Sequence, residues 1–153
     1  MAAYTDTLGF YKGTAAIPAH ADKRMGYFEV ELDFAKIVAA RAAASATALA
    51  AGDTLQVLAL PASCLVLAGG INVTELEVTN TTATFDLGTT GGSPMAANAL
   101  GNDIASNALS SNTVALAAPV AITAADTLDL LLNTAVPANA VLKVWAWVFN
   151  YAS

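Results

Sequence analysis

Few residues in this 153-residue sequence could do chemistry, and they are not arranged to do it. Cys64 is the single cysteine and His20 the single histidine. A thiol or hydroxyl nucleophile needs a base within hydrogen-bonding reach. Cys64 lies inside the apolar run "SCLVLA", whereas His20 sits far away in a proline-containing stretch, and no "GxSxG" occurs. Cys64 therefore reads as a small core residue, and a lone cysteine excludes an intrachain disulfide. Zinc-type Cys/His spacings are missing. "GTTGG", residues 88–92, lacks the lysine of a phosphate loop and reads as a turn.

Carboxylates are the remaining candidates. Glu29, Glu31 and Asp33 alternate with Phe28, Val30, Leu32 and Phe34 in "YFEVELDF". This is the pattern of a half-buried strand whose acids face solvent, rather than of a metal cluster. Asp103 in "GNDIASN" does not have the spacing of a calcium loop. Asp53 and Asp126 each open an Asp-Thr-Leu and are expected to bond local backbone at the start of a strand. No catalytic residue, cofactor or metal is expected. A two-carboxylate hydrolase would require two acids converging on a pocket, roughly 5–10 Å apart.

The elements that would position these residues are mostly strands. "AGDTLQVLALPAS" (51–63) is echoed by "AADTLDLLLNTAVPAN" (124–139), and each copy is followed by a second apolar run. Both copies read as strand, Pro-Ala turn, strand, that is, as a β-hairpin written twice. Further strands are expected at "INVTELEV", "ATFDLG", "TVALAAPVAI" and "AVLKVWAWVFNY", with a long loop over 88–112 containing at most one helical turn. Alanine-rich 34–44 predicts a short helix that Asp33 caps. The expected fold is all-β: an antiparallel two-sheet sandwich or jelly roll of about eight strands. It has one short N-terminal helix, and an extended N-terminal arm (1–26) precedes a single domain (27–153).

The last strand is the most informative. One face carries Lys143, Trp145, Trp147, Phe149 and Tyr151, and the other Leu142, Val144, Ala146, Val148 and Asn150. A single sandwich core needs one of these faces. If the aromatics form the core, the aliphatics lie under the helix; otherwise the aromatic stripe meets another subunit or a sugar. The oligomer-interface candidates are thus Trp145, Trp147, Phe149 and Tyr151.

Composition narrows the partners. Hydrophobic residues make up 56% and charged residues 12%, about half the charge of an ordinary soluble domain. No apolar stretch is long and charge-free enough for a membrane helix, and no secretory leader is expected from "MAAYTDTLGFYKG". Net charge is −6, and beyond residue 41 the sole base is Lys143. An acidic body without a basic patch argues against nucleic acid and anionic membrane. Positive charge concentrates in the arm, where Tyr4, Phe10 and Tyr11 are candidate anchors and Lys12, Lys23 and Arg24 candidate charge partners.

"DFAKIVAARAAA", "GDTLQVLALPASCLVLAGGINV", "ATFDLGTTGG" and "ADTLDLLLN…VPANAVLKVWAWVFNY" together resemble capsid decoration, or cement, proteins of tailed bacteriophages of the marine phage and cyanophage type. The resemblance runs from about residue 27 to the end. It implies a small jelly roll, commonly trimeric, that clamps neighbouring major capsid subunits on the outer surface of the virion. It offers no catalytic residues to carry over. A carbohydrate- or receptor-binding module on a virion fibre is the alternative, with the two tryptophans as its platform.

Overall fold

A computed structural model describes residues 3–5, 25–90 and 93–151. Among these residues, ten strands and one helix run in the order β1 (Ala3–Thr5), β2 (Met25–Asp33), α1 (Phe34–Ala43), β3 (Thr54–Leu60), β4 (Cys64–Glu75) and β5 (Thr84–Gly88). These are followed by β6 (Gly101–Ala105), β7 (Ser110–Ser111), β8 (Val114–Ile122), β9 (Asp126–Leu132) and β10 (Val141–Asn150). One sheet has the order β1-β3-β9-β5-β6. The other runs β2-β10-β4, with β7 and β8 both pairing to β4.

The pairing is nested. β5 pairs with β6, β4 with β8, β3 with β9 and β2 with β10, all antiparallel. This is one long hairpin, its tip near residues 89–100, rolled so that successive pairs fall alternately into the two sheets. That wrapping is the jelly roll. All-β sandwich architecture is as the sequence predicts, including the alternation of β2, whose Phe28, Val30 and Leu32 are buried.

The repeated unit has a different meaning from the one expected. β3 does not pair with β4, nor β9 with β10, so neither copy is a hairpin. Each carries the chain from one sheet to the other. The two Asp-Thr-Leu strands instead pair with each other, Leu55 opposite Leu130 and Leu58 opposite Leu128, while β4 pairs with β10 within the other sheet. Two-residue hairpin turns need positive φ at a central residue. Pro61 fixes φ negative, and Ser63 alone in "PAS" adopts a left-handed φ, 63°. The turn instead passes the chain to the other sheet, with Ala62 exposed.

Between the sheets lie Phe34 and Phe85, stacked with centroids 5.7 Å apart, together with Leu32, Ile71, Leu87, Leu128, Leu130 and Leu142, all fully buried. Cys64 belongs to this core, and burial pushes its thiol up to about 11. α1 starts where expected. The Asp33 carboxylate accepts the Lys36 N–H at 3.1 Å, and Phe34 and Ile37 anchor the helix.

Residues 88–112 are less of a loop than their composition suggests. "GNDIA" forms β6 because β5 offers it an open edge, with Phe85 opposite Ile104. The preceding turn packs so closely that a Cβ on Gly88 would sit 2.0 Å from the Ala96 carbonyl oxygen. At the other end of the chain, β1 pairs in parallel with β3, Tyr4 opposite Leu55. The start of the proposed arm is thus a strand, and Met25 and Gly26 belong to β2. Phe10, Tyr11, Lys12, His20, Lys23 and Arg24 lie outside the described residues.

Candidate interaction surface

β10 settles which face is core. Leu142, Val144, Ala146 and Val148 point inward and are buried. Trp145, Trp147 and Phe149 stand on the outer face of the sheet, so the reading that placed the aromatics in the core is corrected. The aliphatic side chains are compact enough to interdigitate with the leucines of β3 and β9, whereas the indoles stand where the sandwich leaves them room.

Strand register turns that outer face into rows, because cross-strand partners share a side. Glu31, Lys143, Asn72 and Ser111 form the first row, followed by Glu29, Trp145 and Gly70. Tyr27, Trp147, Ala68 and Ala115 come next, then Met25, Phe149, Leu65 and Ala121. Polarity therefore falls along the sheet: the row Asp33, Val141 and Glu75 and the first two rows above hold the charged groups, and the last two hold no ionisable group apart from the Tyr27 phenol.

The polar end satisfies itself. Lys143 Nζ lies 3.0 Å from Glu29 Oε1, and the Tyr27 hydroxyl donates to Glu29 Oε2 at 2.7 Å. Hydrogen bonds from Tyr27 and Lys143 hold the Glu29 carboxyl below its usual range. The Tyr27 hydroxyl is pushed up to about 12, by burial first and then by the bond to Glu29.

The four residues expected to form an interface are thus not equivalent. Trp145 is only 6% exposed. Tyr27 stacks on it at 5.9 Å, and the chain at Asn112 passes beside it. Gly70 permits that passage, since a Cβ there would lie 1.9 Å from the Asn112 carbonyl oxygen and 3.2 Å from Trp145 Nε1. Trp147 is 40% exposed and meets Tyr27 edge-on, with centroids 5.4 Å apart. Phe149 and Tyr151 are half-buried. Met25 and Tyr27, 58% and 48% exposed, complete the apolar end and were not singled out from sequence. Their signal was available in principle, because "MGYFEV" continues the alternation of β2 one period towards the N-terminus.

The acids distribute as structural groups. Asp53 accepts the Ala50 N–H at 2.8 Å and Asp126 the Thr127 N–H at 2.8 Å, the local backbone bonds expected of them. Asp103 accepts from Asn133 Nδ2 at 3.1 Å, and its own N–H donates to Asp86. Among the described residues, no three His, Cys, Asp or Glu side chains group as a metal site, and no helix is long and apolar enough to cross a membrane. An apolar hollow beside α1, lined by Val38, Arg41, Ala42, Leu49 and Val136, contains no carboxylate.

Two acids exceed what their sequence context suggests. Glu77 falls within the strand expected at "INVTELEV", but β4 ends at Glu75 and Glu77 is 1% exposed. Its carboxylate accepts five backbone N–H groups, from Thr79, Asn80, Ala138, Asn139 and Ala140, at 2.6–3.3 Å. Burial alone would raise its pKa, but the N–H groups outweigh that and bring it down to about 2. Glu77 thereby ties the β4–β5 connection to the β9–β10 connection. Asp129, also buried, accepts from the Thr90 N–H at 2.8 Å, the Thr90 hydroxyl and the Thr127 hydroxyl.

No protein-family model matches the sequence, and no curated protein matches it. The architecture, however, has counterparts among solved structures. The fold is shared with chains of bacteriophage capsids. A chain in the acidic stable capsid structure of Helicobacter pylori bacteriophage KHP30 superposes with a TM-score of 0.53 at 10% identity, covering 93% of this chain and 94% of that one. One in the capsid of Ralstonia phage GP4 gives 0.54 at 16%, covering 92% of each. One in the cyanophage Pam1 capsid asymmetric unit gives 0.55 at 17%, covering 88% and 91%. The likeness covers 88–94% of each chain, at identities where only the fold is held in common.

Proposed function

We propose that this chain is a structural virion protein that decorates and stabilises the outer surface of a phage capsid. It acts as a homo-oligomer, a trimer, holding neighbouring major capsid subunits, and it carries out no reaction. The observation that carries this reading is the near full-length coincidence of its jelly roll with capsid chains from three phages. The uncovered aromatic end of the β2-β10-β4 sheet supports it, as does a set of acids engaged in local backbone and hydroxyl bonds. A ring of copies grips several capsid sites at once, so each contact can be weak while the assembly holds firmly. The N-terminal segment, with Tyr4, Phe10, Tyr11, Lys12, Lys23 and Arg24, is the part assigned to the shell, where its positive charge has a role that the acidic body cannot fill.

The test is cosedimentation of the purified full chain with phage heads lacking it. Saturable binding at a fixed ratio to the major capsid protein is expected, together with greater resistance of the heads to heat. Heads that bind none of it would contradict the proposal. The sugar-binding alternative keeps one tryptophan of two: Trp145 is enclosed, and Trp147 meets Tyr27 at 61°, a corner rather than a flat platform.

A further inference from the structure

The outer face of the β2-β10-β4 sheet sets an aromatic corner beside a row of acids. We infer that it receives a basic, extended segment of a partner protein, with an arginine seated against Tyr27 and Trp147. The inference rests on the virion reading for its setting, a segment of the shell, and on this face alone for its chemistry. Tyr27 and Trp147 stand opposite each other in register, with ring centroids 5.4 Å apart at 61°, and both are exposed. Such a corner turns two aromatic faces towards one cation, and the stem of an arginine there can cover Met25 in the next row. The Tyr27 hydroxyl donates to Glu29 at 2.7 Å, which makes the ring richer in electrons and its attraction for a cation stronger.

Next to this corner the face is acidic. Glu29, Glu31 and Asp33 on β2 and Glu75 on β4 share it with Lys143. Lys143 pairs with Glu29, and Lys36 at the start of α1 with Asp33. Those pairs close only part of the acidic end. Glu31 and Glu75 are exposed, and neither takes part in an ion pair among the described residues. Both lysines are held above their ordinary pKa, first by the bond to the partner carboxylate and further by the charge of Glu31. The field over these rows thus stays negative after both pairs have formed.

The two surfaces select the partner together. From the row of Tyr27 to the row of Glu31 is about 13 Å along the strand. An interface of ordinary size covers roughly 800 Å² on each side, so a body seated on the aromatic corner also overlies the acids. An uncharged apolar segment gains nothing from them, and an acidic one is repelled. A segment with an arginine for the corner and a second cation four positions on meets both, at the spacing of an extended chain.

Calorimetric titration of the full-length chain with a synthetic peptide tests the inference. The peptide carries an arginine and, four positions on, a lysine, set among glycine and serine. Saturable binding is expected, and it should weaken as salt is raised. Citrulline, the uncharged isostere, in place of the arginine should weaken binding about tenfold, as should Trp147→Ala. Glu31→Lys combined with Glu75→Lys should weaken it about tenfold or more. Circular dichroism accompanies each variant, and the double charge reversal decides the matter if Trp147→Ala fails to fold. No saturable binding, equal affinity for the citrulline peptide, or variants that bind like the wild type would overturn the inference. An oligomer that Trp147→Ala dissociates in the ultracentrifuge would put a second copy on this face and overturn it too. Phage heads that bind the chain while the peptide does not would overturn the inference and spare the virion reading. Peptide binding by a chain that ignores heads would do the reverse.

Discussion

The outer faces of the two sheets are built by the same alternation and end differently. On the β3-β9-β5-β6 face, Thr84, Asp103, Thr127, Asp129 and Asn133 bond to one another or to nearby loops. Asp129 holds the turn at Thr90, and Asp103 links β6 to the chain after β9. That face completes itself. On the β2-β10-β4-β8 face, only the end with Glu29 and Lys143 does so, while the end with Met25, Tyr27 and Trp147 presents apolar surface to water. Burying such surface is favourable whatever covers it; the first face is bonded within the subunit, and the second ends in exposed apolar side chains. The contrast teaches that internal polar bonding and exposed apolar surface are separated in space on this fold.

Substitutions should sort accordingly. The largest effect belongs to Glu77, which serves neither face but joins their connecting loops. Glu77→Ala strands five backbone donors and should cost roughly 4 kcal/mol in urea or thermal unfolding. Its pKa lies near 2 in the folded protein against 4.5 ordinarily. Its contribution is therefore complete above about pH 4.5 and fades as pH falls through 2. At about 1.4 kcal/mol per unit this amounts to roughly 3 kcal/mol, and Glu77→Gln should flatten that part of the stability–pH curve. On the polar face, Asp129→Ala should cost about 2–3 kcal/mol, since a charged acceptor is lost from a buried turn. Gly70→Ala should cost about 1–3 kcal/mol. In a Trp147→Phe background it should shift Trp145 emission to longer wavelength, as the chain at Asn112 moves away. The smallest effect on folding is expected on the apolar end. Trp147→Ala forfeits one aromatic pair and should change monomer stability by about 1 kcal/mol or less. A cost as large as that of Asp129→Ala would break the division between the faces.

Much of this was legible in the sequence because alternation is a local property. The inward set of β2, the Asp33 cap, the burial of Cys64 and the backbone bonds of Asp53 and Asp126 all follow from residues a few positions apart. What was not legible depends on partners distant in the chain. The Asp-Thr-Leu copies look like hairpins until their pairing with each other is seen, since a proline turn that changes sheets and one folding back differ only in where the next strand lands. β6 is poor in strand formers and exists because β5 templates it. Glu77 sits between Leu76 and Val78 like any outer strand residue, and three of its five donors come from residues 138–140. Which face of β10 is core was undecidable from β10 alone, because both faces are apolar.

Cryo-electron microscopy of the parent virion tests the account most directly. The jelly roll should lie on the outside of the shell as trimers that hold neighbouring major capsid subunits. A shell bearing no such density, or single copies standing apart, would contradict it.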